Sequence, residues 1–439
     1  MKQYLSELSQ NLFSELNEHE VLSLSLHSED SEFIRFNQAR IRQNTDVHQH
    51  ELTLDYRSSQ RSYQATLNLT LDVSIDSLLC RQKLREIREQ LPLVDENPHL
   101  APVKNHGQSE VIKKSERPPT DEVCKKINSL FSDTDLAGFY SAGPLRKAAL
   151  NSLGQFHYFE NDNFFFDYSI YDGPKAVKGF YSDRQWNDER FSAQAQELKN
   201  TLALLRKPPV QVKPGQHRAY LAPMAVAEIV EIFNWRAVSR RAFEQGFAPL
   251  KKLAQKEQIL SPHFSLIQNN SLGLSPHFNQ QGEIVPEQLL VIENGELKNL
   301  LISSTTAQEY GLVSNQAGSY ESMSSIEVRA GTLAEENALK ELGTGLYLGN
   351  LHYINWSDPQ AARLTGMTRF ACFWVEKGEI LGPIQDLRFD DTLYNIFGRE
   401  LLQLTDRAHT FTSTSTYHKR TLGGMQVPGL LLNRMNFTL

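Results

Sequence analysis

Glu228 and Glu231 stand three residues apart in a stretch, residues 224–245, whose apolar positions Ile229, Ile232, Phe233 and Val238 recur at helical spacing. On a helix, carboxylates at i and i+3 share a face, so this pair could bind a cation or divide the roles of acid and base. A solvated or interface face, with Arg236, Arg240 and Arg241 nearby, is the plainer reading. The chain has 13 histidines, none four or five residues from another, so a helical two-imidazole metal grip is not written in it. His19-Glu20 and His50-Glu51 are the His-Glu pairs, and neither is followed by a histidine at metal-binding spacing. His48 and His50 would point to one face of a strand and could share a metal with a third ligand, although a polar surface face explains them as well. Cys372, inside an apolar run at 370–374, suits a buried small hydrophobe better than a nucleophile. Gly343, Gly345 and Gly349 lack dinucleotide-loop spacing and are better suited to ending a helix and allowing close packing. No Gly-x-Ser-x-Gly elbow occurs. Motifs alone assign no catalytic residue and no metal ligand.

The elements that would position these groups follow from periodicity and turn chemistry. Residues 3–17 read as an amphipathic helix, and 21–27, 33–36, 51–56 and 63–71 as alternating, half-buried strands. Helices are expected at 76–91, 122–131 and 187–205, with aromatic-rich strands across 156–181. Residues 95–120 carry Pro98, Pro102, Pro118 and Pro119 without periodicity, which marks a loop or linker. After Pro208-Pro209 come a short strand at 219–222, the helical pattern of 224–245, a hairpin at 289–302 and a helix at 333–342. A second hairpin at 373–384 turns at Glu376-Lys-Gly-Glu379, where Gly378 supplies the positive φ. The threonine-rich run 410–417 suggests an edge strand, to which an extended peptide could pair, though a plain structural strand is simpler. The tetrapeptide Ser-Pro-His-Phe occurs at 261–264 and 275–278, too close for a repeat architecture. The expected class is α+β: an N-terminal α/β domain followed by a β-rich C-terminal domain with helical insertions. Its units would be 1–92, a polar linker at 93–120, a middle segment at 121–209 packed on the first, and 210–439.

At 439 residues the chain exceeds one compact core. With 40% hydrophobic and 22% charged residues it is globular, not disordered. A net charge of −7 provides no general field for nucleic acid or an anionic membrane, and the basic clusters at 236–241 and 418–420 are too short and dispersed for a nucleic-acid track. No apolar run approaches the roughly 18–20 residues needed to cross a bilayer. The opening residues lack the charged-then-apolar order of a signal peptide. Three widely separated cysteines, Cys80, Cys124 and Cys372, fit a reducing cytoplasm.

The ordered set Gly343-Thr-Gly-Leu346, Thr365-Gly366 and Phe373-Trp-Val-Glu-Lys-Gly-Glu-Ile380 resembles the C-terminal domain of the TldD/PmbA metallopeptidase family, on its PmbA (TldE) branch. The resemblance extends upstream through Ser275-Pro-His-Phe-Asn-Gln-Gln-Gly282, the 289–300 hairpin, residues 303–312, and the opening hairpin Phe33-Ile-Arg-Phe36 to Gln43. In the proteolytic branch a helix after a short strand carries His-Glu-x-x-x-His, and a cysteine near the C-terminus completes a zinc site. By that resemblance Pro223 and Glu228 occupy the histidine positions here and Met224 the position of the base, while no cysteine follows Cys372. It implies a metal-less subunit with no cofactor of its own. A TldD-like, zinc-bearing partner, or a homodimer, would complete a chamber for unfolded or flexible peptides, ribosomally made precursors among them. Nucleic acid and membrane are not expected partners. Residues 361–370, read as a loop, lack the family's usual Gly-Asp-Tyr-Ser-Arg-Gly run, so no peptide contacts carry over. Two alternatives stay open: a hydrolase with a relocated metal site at Glu228 and Glu231, and a peptide- or partner-binding protein without a proteolytic role.

Overall fold

A computed structural model of the protein describes residues 1–438. Strands before residue 184 form one sheet and strands after residue 214 another. The first sheet has seven strands, in the order Arg61–Asn68, Arg40–Ser58, Glu20–Asn37, Asp135–Asn151, Phe156–Asp172. The last of these carries two partners on its outer side, Gln108–Lys113 in parallel and Lys175–Asp183 antiparallel. Alternation assigns the faces. Leu22, Leu24 and Leu26 are buried with the helices Lys2–Phe13 and Val73–Gln90, while Ser25 and His27 point toward the second half of the chain. Asp72 caps the second helix by accepting from the Ser74 and Ile75 N–H groups, and buried Asp76 takes the Tyr4 hydroxyl at 2.5 Å, pinning the first helix to that start. Further along the sheet, Phe164, Phe166 and Tyr168 meet Phe131 and Phe191 from the helices Thr120–Phe131 and Asp188–Leu204.

The second sheet has eleven strands. Five of them, Gly215–Leu221, Gly345–Asp358, Arg363–Glu376, Arg388–Thr392 and Gly424–Phe437, close a ring, because the last pairs back onto the first. Its large core includes Leu221, Leu346, Leu364, Phe389 and Leu430. No helix of the described residues is long and apolar enough to cross a membrane. The architecture is α+β, with helices inserted between strands of a β-rich second half.

Gly378 takes φ +84° beside Lys377 at +52°, as the tight hairpin turn requires. Asn294 and Gly295 repeat that pair of positive φ values, but the strand after them is just Glu296–Leu297. Four expectations need correction. The pattern at 224–245 is not one helix: Pro223–Val230 is α-helical, Glu231–Asn234 is a 3₁₀ turn, Arg236 has φ +71°, and Ser239 caps a fresh helix, Arg240–Glu244. Asn234 forces the break by bonding both the N–H and the carbonyl of Met323, and the periodicity survives because Ile229, Ile232, Phe233 and Val238 are buried in the same core. The polar stretch 95–120 contains the edge strand Gln108–Lys113, in which Val111 packs against a small cluster around Phe159 and Phe278. Residues 363–370 are strand, not loop: the inward positions Leu364, Gly366 and Thr368 include a glycine and a threonine, which masks the alternation. The 410–417 run leaves the sheet at Thr412, the end of the strand Leu401–Thr412.

Candidate functional site

The helix Pro223–Val230 follows directly on the strand Gly215–Leu221. Pro223 sits at its first position, where the missing N–H costs nothing and φ is already helical. Ala225, Val226, Ile229 and Val230 are buried in the ring's core. That leaves Met224, Ala227, Glu228 and Glu231, at helical i, i+3, i+4 and i+7, on the opposite face, where they floor a cavity of about 470 Å³. Asp167, Lys178 and Phe180 of the first sheet form the facing wall, and Ile326, Met425 and residues 411–415 and 422–424 the rest.

Glu228 and Glu231 open onto this cavity, yet the surrounding walls thin their hydration. Burial raises both carboxyl pKa values above the usual range. At Glu228 this outweighs the attraction of Lys178 and is reinforced by Asp167 and Glu231. At Glu231 a hydrogen bond from Asn234, at 3.2 Å, pulls partly the other way. Lys178 is held at 2.8 Å by Asp167. Methionines 224, 323 and 425, with Phe180 against Phe411 at 5.6 Å, give the rim a soft apolar lining. The cleft can therefore take an extended, partly apolar segment above two carboxyls that hold their protons to higher pH than ordinary ones.

Both sequence-selected carboxylates, and Met224, come together here. The arginines expected beside them do not. Arg240 pairs with Glu244, Arg241 gives its backbone N–H to Glu321 and its Nε–H to Thr306 Oγ1, and the charges that act on Glu228 include Lys178 and Asp167, far earlier in the chain. That wall had no signal in the sequence. His48 and His50 do share a face, with ring nitrogens 2.8 and 3.8 Å from Asp30, which Arg146 also holds. Cys372 is buried with its thiol on the Asn350 and Arg369 carbonyls, and burial raises its pKa. Gly343 ends the helix Ala338–Leu342 at φ +66°, and a Cβ on Gly345 would lie 2.3 Å from the Arg218 carbonyl oxygen.

A model of the PmbA/TldA metallopeptidase C-terminal domain matches residues 214–439, more than half of the chain. The chain belongs to the PmbA/TldA metallopeptidase family. Solved structures share its fold over nearly its whole length at low identity. A proposed DNA gyrase modulator from Thermotoga maritima has TM-score 0.77 and 15% identity, covering 99% of this chain and 100% of its own. TldE from Thermococcus kodakarensis has TM-score 0.77 and 14% identity over 99% and 100%. A proposed DNA gyrase modulator from Bacteroides thetaiotaomicron has TM-score 0.76 and 13% identity over 100% and 98%. No curated protein matches the sequence.

A protein zinc site draws three or four donors from imidazole, thiolate and carboxylate side chains, and the cavity floor, with two carboxylates alone, does not fit it. The helix offers proline, methionine and carboxylates, no histidine lies between His217 and His263, and among the described residues no three His, Cys, Asp or Glu side chains converge on a point. His217 packs edge-on to Trp374 instead.

Raised carboxyl pKa values have a consequence for stability. Below the unfolded-state pKa of about 4.3 both states are protonated and the burial penalty is absent. As pH rises through the folded-state values, the native protein must carry charges that its cleft disfavours, and stability falls. Glu231→Gln is thus expected to melt slightly above the wild type at pH 7, by no more than about 2 °C because the open side admits screening water. The gap should close near pH 4. Scanning fluorimetry across that range checks it, and a lower melting temperature at pH 7 would contradict the assignment.

Proposed function

We propose that this chain is the TldE-like, metal-less subunit of a cytoplasmic two-chain peptidase, with its 470 Å³ cleft forming part of the chamber that receives unfolded or flexible peptides. The observation that carries this reading is the helix face that floors the cleft, which presents Met224, Ala227, Glu228 and Glu231 and no imidazole or thiolate. Hydrolysis then falls to a zinc-bearing, TldD-like partner. This chain shapes access and contacts the peptide through its methionines and phenylalanines, whose apolar surfaces accept varied side chains without demanding a sequence. The likeness to a solved TldE over the whole chain supports the pairing, and three buried free thiols support a reducing compartment. A second reading, acid–base chemistry by Glu228 and Glu231 themselves, draws on their raised pKa values in a cleft.

The test is reconstitution with a TldD-like chain on an unstructured peptide. The mixture should cleave at least about tenfold faster than the partner alone, this chain alone should not cleave, and a zinc chelator should abolish the reaction. Equal cleavage by the partner alone would overturn the subunit role. Chelator-sensitive cleavage by this chain alone, or roughly stoichiometric zinc in it, would overturn the metal-less reading.

A further inference from the structure

A second cavity, of about 250 Å³, lies between the sheets, and its chemistry is unlike that of the cleft. Ser25 and Lys147, on adjacent strands of the first sheet, form its base, and loops of the second half cover it. The Lys147 ammonium has three N–H groups. One is given to His27 Nδ1 at 2.8 Å, and His27 in turn donates from Nε2 to the Arg420 carbonyl at 2.9 Å, so the ring is fixed as a neutral acceptor. Burial and the neighbouring Lys147 and Lys419 charges push the His27 pKa down to about 3, which holds it in that form. No carboxylate among the described residues pairs with Lys147, whereas Lys419 nearby is matched by Glu51. Two ammonium N–H groups therefore lack a partner in a confined space. Burial brings the Lys147 pKa down to about 8, and the amine is still cationic at neutral pH.

Three side-chain amides of the wall are already engaged. Asn270 bonds the Pro286 carbonyl and accepts from Gln268 and Ser275, Asn279 bridges Glu283 and the Gln316 carbonyl, and Asn315 holds the backbone at Leu300 and Ile302. The apolar part of the lining includes Phe278, Leu289, Leu301 and Leu422, and Ser25, Gln280, Ser319 and Ser322 add small polar groups to it. Tyr320 stands at the rim, 84% exposed, with its ring free to cover an occupant.

We propose that this cavity binds a small monocarboxylate with an apolar body, its carboxylate on Lys147 and its hydrocarbon against Leu289, Leu301 and Leu422, the chemistry of an acylated apolar amino acid or the last residue of a peptide. One lysine, with no arginine fork or backbone nest, suits a single negative charge and not a phosphate. The volume is below the roughly 300–1,000 Å³ of drug-sized sites and fits one residue. The inference rests on Lys147 and its cavity and does not depend on the subunit reading.

Calorimetric titration of the full chain with N-acetyl-leucine, N-acetyl-leucinamide, the tripeptide Ala-Ala-Leu and inorganic phosphate tests it. N-acetyl-leucine should bind with a dissociation constant of about 1 mM or tighter, and at least about tenfold more tightly than its amide. Lys147→Met should remove that preference. Leu289→Trp, which fills the cavity from its apolar side, should abolish binding without touching the amine. Binding of Ala-Ala-Leu as well would identify peptide C-termini as a source, and binding of N-acetyl-leucine alone would restrict the site to small acyl amino acids. Equal affinity for acid and amide, preference for phosphate, no binding at all, or an unchanged Lys147→Met profile would each overturn the proposal.

Discussion

Arg420→Met is expected to destabilise the protein by about 3 kcal/mol and to loosen the junction between its two sheets. Arg420 belongs to the loop after the strand Leu401–Thr412, yet it is 2% exposed and its guanidinium lies within the first sheet. It donates to the Gly143 carbonyl at 3.2 Å, to the Asn163 side-chain oxygen at 2.5 Å and to Ser31 Oγ at 3.3 Å, and it stands 5.6 Å from the Phe165 ring. Ser31 passes the contact on by donating to Glu29, which is 0% exposed and also accepts the Arg420 backbone N–H. Burial lowers the Arg420 pKa to about 10, with Glu29 working against the drop, so the charge persists at neutral pH. Methionine would keep the volume and remove the cation. Glu29 would stay buried without the guanidinium, with Lys419 as a remaining positive neighbour, and the carbonyls of Gly143 and Asn163 would lose their donor.

The same loop segment also walls the cleft, since residues 412–415 and 422–424 line it. Two readouts should therefore move together in Arg420→Met. The denaturant midpoint should fall, and residues 413–423 should become sensitive to a protease that spares them in the wild type. Arg420→Lys, which retains charge but not the fork, should recover part of the stability. An unchanged midpoint in Arg420→Met would mean that the latch contributes nothing net.

Which parts of this arrangement are visible in the sequence follows from the range of the forces involved. Local rules work where neighbours in the chain decide: the positive φ at Gly378 and the alternation of Leu22, Leu24 and Leu26 both belong to short segments. Helical spacing also placed Glu228 and Glu231 on one face, which is the floor of the cleft. It failed at Asn234, because the bonds that break the helix go to Met323, 89 residues away. Strand alternation was masked at Gly366, where the ring of Phe389 lies 2.6 Å from the position a Cβ would take and a glycine stands in place of an apolar residue. Lys147, Asp167, Lys178 and Arg420 acquire their roles through contacts between the two sheets, and a lysine or arginine within a strand gives no local hint of them. The metal question differs in kind. That no histidine lies between His217 and His263 and no cysteine follows Cys372 is a matter of residue type, read from the sequence without any fold.

Gly143→Ala is expected to cost about 3 kcal/mol, with the midpoint of chemical denaturation as the measure. Two effects add. Gly143 has φ +135°, a backbone conformation that residues with a side chain rarely adopt, and an added Cβ would lie 2.0 Å from the Asp30 carbonyl oxygen. Neither can relax cheaply, because the ladder between Glu20–Asn37 and Asp135–Asn151 runs on both sides of this point. Pairing stops at Glu29 opposite Leu145 and resumes at Glu32 opposite Ala142. The interruption leaves the Gly143 carbonyl free of the ladder and aimed at Arg420, so the glycine shapes the socket into which the loop from the second sheet inserts. Gly173→Ala separates the two contributions. Gly173 also has positive φ, +59°, but nothing lies within 4 Å of its would-be Cβ, and the expected cost there is about 1 kcal/mol. If alanine at 143 costs no more than alanine at 173, the close approach to Asp30 is not what demands glycine. If it costs clearly more, and Gly143→Ala in the Arg420→Met background adds less than it does alone, the break in the ladder and the buried arginine form one coupled device joining the two sheets.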